Sequence, residues 1–186
     1  VTAMKKRRIS LILLLVTLSG ASSASAATNF DVDASHSLQD AVTQLNNSPD
    51  SVNTITFRLP ARSSIELGTS SLSIDKSVSF VTNGTPVTLS SSASSGIFVA
   101  DGTTVNLPSG LLMSSSGSGV TAVDGKGVLN LHDMAATITV TSTGGQMADG
   151  IASYNYNPDG KSVTIDNLSG TITTSIDTND EHSWAN

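Results

Sequence analysis

Three histidines are the first candidates for acid–base or metal chemistry in this sequence: His36, His132 and His182. Imidazole can act as a general base near neutral pH or as a metal ligand. The three residues lie far apart along the chain, and none has a serine or a carboxylate in a recognised catalytic spacing. We therefore interpret them as ordinary polar residues.

Nucleophilic residues do not form a motif either. The runs Ser90–Ser92 and Ser114–Ser116 are rich in hydroxyls, but the chain has no G-x-S-x-G sequence, which marks an exposed nucleophilic serine. The P-loop and dinucleotide-binding glycine patterns are also missing. Without cysteine, the chain has no thiolate nucleophile, no thiolate zinc site and no disulfide. We interpret the serine runs as solvated strand faces and predict no catalytic residues, no cofactor and no metal.

Carboxylates offer two weaker candidates for calcium binding. Asp101, Asp124 and Asp159 each precede a glycine in a repeated unit, and a stack of such residues could supply oxygen ligands to Ca²⁺. The stretch Asn155–Asp166 resembles an EF-hand loop, but its first residue is not Asp and its twelfth is not Glu. We favour a role in turns for the three aspartates and no calcium site in the second stretch.

Arginines and clustered aromatic residues complete the candidates. Arg58 and Arg62 flank Pro60 in the first predicted coil, where packing at the end of the fold is a simpler interpretation than lyase chemistry. Tyr154 and Tyr156 lie in an inserted loop and could contact a ligand. Packing over the coil is the simpler interpretation for them as well.

The first 26 residues have the three parts of a secretory signal peptide. Basic residues (Lys5–Arg8) precede an apolar run (Ile9–Leu18), and Ala24–Ala26 is an A-x-A cleavage site before Ala27. A short membrane anchor or a buried helix is the alternative. The net charge is −6, and removal of the leader makes the chain more acidic, which disfavours binding to nucleic acid or anionic lipid. We therefore predict a chain that is exported through the periplasm.

One short helix is predicted in the N-terminal segment 27–50. Residues 27–35 are polar and predicted to be loose. Ser37 and Asp40 form a weak capping box, and an apolar stripe follows at helical spacing. The pattern predicts a helix over 37–46 whose buried face is formed by Leu38, Ala41, Val42 and Leu45.

From Asn53 onward the hydrophobic period changes to two residues, which predicts short strands with one polar face. Units of similar sequence begin at Gly96, Gly119 and Gly150, each with an Asp-Gly pair expected to turn a corner. Repeats of this length are typical of stacked supersecondary units. The predicted strands include Thr54–Phe57, Ser64–Leu67, Leu72–Ile74, Val78–Phe80 and Val87–Leu89.

We therefore predict an all-β fold, a parallel β-helix over 51–186, in which the helix caps the N-terminal end. Strands at Ala136–Val140 and Gly170–Thr174 are expected to stack as companions between the units. An antiparallel sandwich with two-residue Asp-Gly hairpins is the alternative. Ser183–Asn186 resembles Gly150–Ser153, so we expect that the chain is a fragment that stops as a fourth unit begins.

The leader, the cap-like helix before Thr54–Phe57 and the repeats of Gly150–Thr174 together resemble the amino-terminal part of a bacterial autotransporter passenger of type V secretion. The resemblance implies a right-handed β-helix, display on the cell surface, and attachment to the outer membrane through a carboxy-terminal barrel that is not in this chain.

It also implies the adhesin, toxin, protease or esterase roles found in that family. With no catalytic set in the sequence, we predict a non-catalytic stalk or adhesin whose partners are a host surface, a glycan or further copies of itself. A secreted polysaccharide-active β-helix enzyme and a free structural protein are the alternatives.

Overall fold

The computed structural model describes residues 27–143, 146–153 and 162–176. Several predictions fall outside these ranges: the signal peptide, the calcium role of Asp159, the contacts of Tyr154 and Tyr156, the role of His182 and the fourth unit at Ser183–Asn186. The described part contains one helix, α1 (Leu38–Asn46). The strands are β1 (Ala27–Val32), β2 (Val52–Phe57), β3 (Ser63–Gly68), β4 (Leu72–Ile74), β5 (Val78–Val81), β6 (Val87–Ser91), β7 (Ser95–Val99), β8 (Thr104–Leu107), β9 (Leu111–Gly117), β10 (Val120–Gly125), β11 (Val128–Met134), β12 (Thr137–Ser142), β13 (Ala148–Ser153), β14 (Ser162–Ile165) and β15 (Thr171–Ile176).

The strands form three parallel sheets that are stacked coil upon coil. The first sheet has the order β1-β2-β5-β8-β11-β14, the second β15-β12-β9-β6-β3, and the third β13-β10-β7-β4. Each complete coil therefore contributes one strand to each sheet, beginning with β2, β3 and β4. This arrangement confirms the parallel β-helix and excludes the antiparallel sandwich. The right hand implied by the resemblance is also the usual hand of parallel crossovers, and it stays a prediction.

Rows of aliphatic side chains run through the interior along the axis of the solenoid. In the first sheet, Val78 pairs with Val105, which pairs with Leu131. All three side chains are buried. Alternation along each strand sends the neighbouring polar residues to the outer surface. The core is therefore a column of paired aliphatic side chains. The interior residues of each coil are covered by the coil before it and the coil after it.

Helix α1 lies at the N-terminal end of this column, as predicted. The Ser37 hydroxyl accepts a hydrogen bond from the Asp40 amide at 3.1 Å, which completes the N-cap. The predicted apolar stripe is buried, and the helix contacts β1, β2 and β4. At its other end, the side chain of Asn46 binds the backbone of Ser73 and Asp75 beside β4. No helix in the described ranges is long and apolar enough to cross a bilayer.

The segment before the helix is a strand, so the prediction that residues 27–35 are loose was wrong. Strand β1 pairs in parallel with β2 over its whole length, from Ala27 beside Val52 onward. Phe30 and Val32 alternate toward the core and are buried. The polar residues Thr28, Asn29 and Asp31 hid a short period-two pattern, and pairing with β2 of the neighbouring coil stabilises this strand.

The second sequence unit is shifted by three residues relative to its prediction. Ser95 pairs with Thr121 and Ile97 with Val123, so Gly96 lies beside Ala122 rather than beside Gly119. The Asp-Gly pairs suggested the predicted alignment, but burial of the aliphatic residues sets the actual register.

The companion strands did stack as predicted. Thr137 of β12 pairs with Thr171 of β15, and the pairing continues through Ser142 and Ile176 without a shift. The chain between β12 and β15 therefore does not disturb the pairing register of the second sheet.

Glycine is required in this fold for two different reasons. Gly102 has a φ of +70° and forms the turn between the third sheet and the first. At Gly150 a Cβ atom would collide with the side chain of Ile172 across the core. The predicted corner role thus holds for Asp101-Gly102, whereas Asp124-Gly125 lies inside strand β10.

Candidate functional site

The loop between β1 and α1 brings a serine, a histidine and an aspartate together. His36 Nδ1 lies 3.0 Å from Asp33 Oδ1 and 3.2 Å from Ser35 Oγ. In a hydrolytic triad, the serine and the carboxylate occupy opposite nitrogens of the imidazole, whereas here both approach Nδ1. Asp33 Oδ1 also accepts hydrogen bonds from the amides of Ser35 and His36. The group is therefore an aspartate-centred turn.

The pKa of the Asp33 carboxyl is lowered well below its usual range. The hydrogen bond from the Ser35 hydroxyl makes the largest contribution, followed by the Ser35 amide and then by the groups of His36. These donors stabilise the charged carboxylate. Such a carboxylate is a poor general base, which agrees with a structural role for the turn.

A second histidine forms a surface pair near the other end of the described structure. His132 Nδ1 lies 3.5 Å from Asp166 Oδ2, and the adjacent pair, Asn167 Nδ2 and Asp133 Oδ1, lies at 3.0 Å. Both histidine and aspartate side chains are more than half exposed. Exposed ion pairs contribute little to stability. These contacts join the ends of β11 and β14.

The two arginines lie at the N-terminal end, where end packing was predicted. Arg58 Nε binds Asp31 Oδ2 at 2.7 Å, which joins the end of β2 to β1. The hydrogen bond from Arg58 is the largest cause that lowers the pKa of Asp31. Arg62 is in a turn with a φ of +63°, and its amide donates to the Pro86 carbonyl.

The two described aspartates, Asp101 and Asp124, are not stacked in the carboxylate ladder that the sequence left as an alternative to turn roles. Asp101 lies in an exposed turn, where Oδ1 accepts a 2.7 Å hydrogen bond from the Val128 amide. Asp124 lies within β10, opposite Phe98 of β7. The two residues are therefore on different parts of the coil. Among the described residues, no three His, Asp or Glu side chains come together as a possible metal site.

Asp124 instead belongs to a buried polar group that the sequence patterns did not reveal. Its side chain is 7% exposed, and Oδ2 accepts a 2.7 Å hydrogen bond from the Ser95 hydroxyl. Its Oδ1 has no hydrogen-bond partner in the described part of the chain. Asp149, on the neighbouring strand β13, is 4% exposed. Burial raises the pKa of Asp124, and the negative charge of Asp149 raises it further.

The serine runs lie on a regular outer surface, although two of their members point inward. Ser91 and Ser115 are buried, which corrects part of the prediction that both runs are solvated. Ser90, Ser114 and Ser116 belong to a grid of exposed or half-exposed residues across the second sheet. We call this surface the hydroxyl face, and it consists of Ser64, Glu66, Thr88, Ser90, Leu112, Ser114, Ser116, Thr137, Thr139, Thr141, Thr171, Thr173 and Ser175.

The main open cavities among the described residues are small. Their volumes range from about 120 to about 310 Å³, whereas small-molecule sites usually enclose roughly 300–1,000 Å³. One cavity of about 290 Å³ lies between α1 and strand β3, where Ile65 and Leu67 are only partly covered.

Comparisons with protein family models, with curated proteins and with solved structures found no significant match to this chain. Its likeness to autotransporter passengers consequently stays a prediction from the sequence. The geometry defines a β-solenoid with a hydroxyl-rich outer sheet.

Proposed function

We propose that this chain is an exported, non-catalytic segment of an autotransporter-type passenger, displayed at the cell surface as a stalk or adhesin. The observation that carries the proposal is the solenoid itself, with an interior of matched aliphatic rows and the regular hydroxyl face outside. Such a column is stiff along its axis, because each coil is bonded to its neighbours by parallel ladders. It can hold a binding surface away from a membrane.

The polar clusters support a scaffold more than an enzyme. The Asp33 carboxylate is bound to the amides of its own turn, and Arg58 is paired with Asp31. Asp124 and Asp149 are charged residues within the packed structure, where a polymeric substrate has little access to them. The Asp33 and Arg58 groups therefore have local structural roles.

Cleavage at the predicted A-x-A site, after Ala26, would keep Ala27–Val32 of strand β1 in the exported chain, where these residues pair with β2. The proposed export therefore does not remove the described part of the first sheet.

Processing of the leader can be tested with two substitutions at adjacent residues. Because signal peptidase sites require small residues at the two ends of A-x-A, Ala26→Phe should prevent cleavage in a Gram-negative host. Ser25→Phe changes the middle position and should leave cleavage intact. Intact-mass analysis of cell fractions should find the exported chain beginning at Ala27. Full-length protein that remains in the cytoplasm for both variants and for the parent would contradict export.

Catalysis on polysaccharides, the main alternative, is tested by incubation of the processed protein with polyuronides and Ca²⁺. We expect no new unsaturated chain ends, measured by ultraviolet absorbance. Activity that disappears in Asp124→Asn but persists in Ser64→Ala would replace the scaffold proposal with an enzyme.

A further inference from the structure

Two carboxylates are buried in neighbouring strands of the third sheet. Asp124 of β10 is 7% exposed, and Asp149 of β13 is 4% exposed. The two strands pair in parallel, and the negative charge of Asp149 raises the pKa of Asp124, so the two side chains interact electrostatically. Burial of a carboxylate is unfavourable unless hydrogen bonds, a proton or a cation offset its charge. This pair therefore calls for a compensating group.

The pairing register brings two hydroxyls to the same place. Ser95 of β7 pairs with Thr121 of β10, which pairs with Asp149, so these three residues form a row across adjacent coils. Asp124 follows three residues after Thr121, and its Oδ2 accepts the 2.7 Å hydrogen bond from the Ser95 hydroxyl. We call Ser95, Thr121, Asp124 and Asp149 the acidic cluster. Its two carboxylates and two hydroxyls come from three neighbouring strands.

One oxygen of the acidic cluster indicates a ligand. The Oδ1 atom of Asp124 is buried and has no hydrogen-bond partner among the described residues, whereas Oδ2 is bound to Ser95. Nearly all buried polar atoms in proteins have a partner, so such an acceptor indicates that an electropositive group binds there. In the described part of the chain, Asp124 has no ion pair with a lysine, an arginine or a histidine.

The chemistry of the donors favours a hard divalent cation. Every side chain of the acidic cluster offers oxygen, and Ca²⁺ takes roughly six to eight oxygen ligands. Softer metals prefer thiolate or imidazole, but the chain has no cysteine, and His36 and His132 pair with other aspartates. A proton would remove only one of the two negative charges, whereas a divalent cation offsets both.

We propose that the acidic cluster is a calcium-binding site, in which Asp124 and Asp149 supply the negative charge and two hydroxyls supply neutral oxygens. The cluster has two carboxylates rather than three, so carbonyl or water oxygens complete the ligand set. It differs from the ladder considered from the sequence, because Asp101 is not part of it. The bound ion joins β7, β10 and β13 and stabilises the later coils. The inference does not depend on the proposed surface display.

Calcium binding is tested first by thermal unfolding of the full chain, followed by circular dichroism. The parent should unfold about 3–10 °C higher in about 10 mM Ca²⁺ than in chelator at equal ionic strength, since extracellular calcium sites have dissociation constants of about 0.1–1 mM. In chelator, Asp124→Asn should be more stable than the parent, because it lacks the buried charge, but it should gain nothing from Ca²⁺. Asp101→Asn changes an exposed turn residue and is the matched control, with the same gain as the parent. An equal gain in Asp124→Asn, or no gain in the parent, would overturn the proposal.

Equilibrium dialysis against radioactive Ca²⁺ measures binding directly. The parent and Asp101→Asn should bind a single ion per chain, whereas Asp124→Asn and Asp149→Asn should bind none. Thr121→Val keeps the shape of a buried side chain and both carboxylates, so it tests the site even where a carboxylate variant fails to fold, and its affinity should fall several-fold. Unchanged affinity in these three cluster variants would refute the site. Stabilisation of the parent by acid, without binding of Ca²⁺, would show that a proton neutralises the pair and would refute it as well.

Discussion

The two ends of the solenoid have similar strands but different coverings. At the N-terminal end, β1 adds a strand to the first sheet, and α1 packs across strands of the first and third sheets. In the last described coil, β14 and β15 each pair with one described strand, and the aliphatic side chains of Val163 and Ile172 are partly exposed. Burial of an interior residue in this fold thus requires neighbours on both sides along the axis.

The first coil and the later coils also differ in the charge of their buried polar side chains. Buried polar residues of the first coil, such as Asn53 and Thr56, are neutral, whereas the buried charged residues of the described ranges are Asp124 and Asp149 in later coils. A carboxylate in such a place carries a desolvation cost. The later coils are therefore expected to be the less stable part of the column.

The largest expected effect on stability is the difference between substitutions at two isoleucines that pair with each other in the second sheet. Ile138→Ala should lower the free energy of unfolding by about 2–5 kcal/mol, because it leaves a cavity in a fully buried site. Ile172→Ala should cost about 1 kcal/mol, since this side chain is already partly exposed. Urea denaturation followed by circular dichroism measures both values.

The same two variants can also contradict the expected difference between the last described coil and the interior coils. Equal losses for the two variants would mean that the last described coil is packed as tightly as the interior.

A smaller effect is expected for the buried charge in the later coils. Asp124→Asn should raise the free energy of unfolding at pH 7, because it removes a charge that burial disfavours. The folded-state pKa of Asp124 is raised above the ordinary aspartate value of 3.8. The parent therefore gains stability as the pH falls through the raised pKa toward 3.8, and the advantage of the variant shrinks over that window.

Urea titrations at several pH values give the difference between parent and variant. Asp101→Asn is the control, because that carboxylate lies in an exposed turn, and we expect a change within about 0.5 kcal/mol at each pH. An advantage of Asp124→Asn that grew on acidification would contradict the raised pKa.

The side chain of Ser37, which caps α1, should contribute about 1 kcal/mol to the free energy of unfolding. Ser37→Ala removes the hydroxyl that accepts from the Asp40 amide, whereas Ser37→Thr retains an acceptor. Thermal or urea unfolding should show a loss for the alanine variant and a much smaller one for threonine. Equal stability of the parent and Ser37→Ala would show that the helix is held by its apolar face alone.

The smallest effect concerns the turn before the helix. The pKa of Asp33, measured by NMR titration of its carboxyl carbon, should lie well below the usual aspartate range. Ser35→Ala should raise this pKa more than His36→Ala does, because the Ser35 hydroxyl is the largest cause of the lowered value. The stability that this turn provides is lost as the pH falls through the lowered pKa. A larger shift in His36→Ala would reverse the assigned order of donors.

Much of the architecture could be predicted because it depends on local periodicity. The helix over Leu38–Asn46 follows from one apolar stripe and a capping serine, and β4 has its predicted bounds, Leu72–Ile74. Strand β1 was missed because its stability comes from pairing with β2. A short polar strand has no clear signal before the partner strand is placed beside it.

The candidate sites were harder to predict because they depend on register. The Asp-Gly pairs indicated an alignment of Asp124 with Asp101, but the pairing of Ile97 with Val123 moves Asp124 into a strand. Its contact with Ser95 spans 29 residues of sequence. The hydroxyl face, by comparison, is already implicit in the Ser/Thr alternation of the strands.

The sequence by itself determined the period-two strands, the capping helix and the repeated units, because side-chain alternation and helical spacing are local properties. Tertiary structure decided the register of the coils, the burial of Asp124 and the contrast between the two ends. These properties depend on which aliphatic side chains pair between coils and on whether a further coil covers them. The hydrophobic stabilisation of an interior side chain is set only when both neighbouring coils are in place.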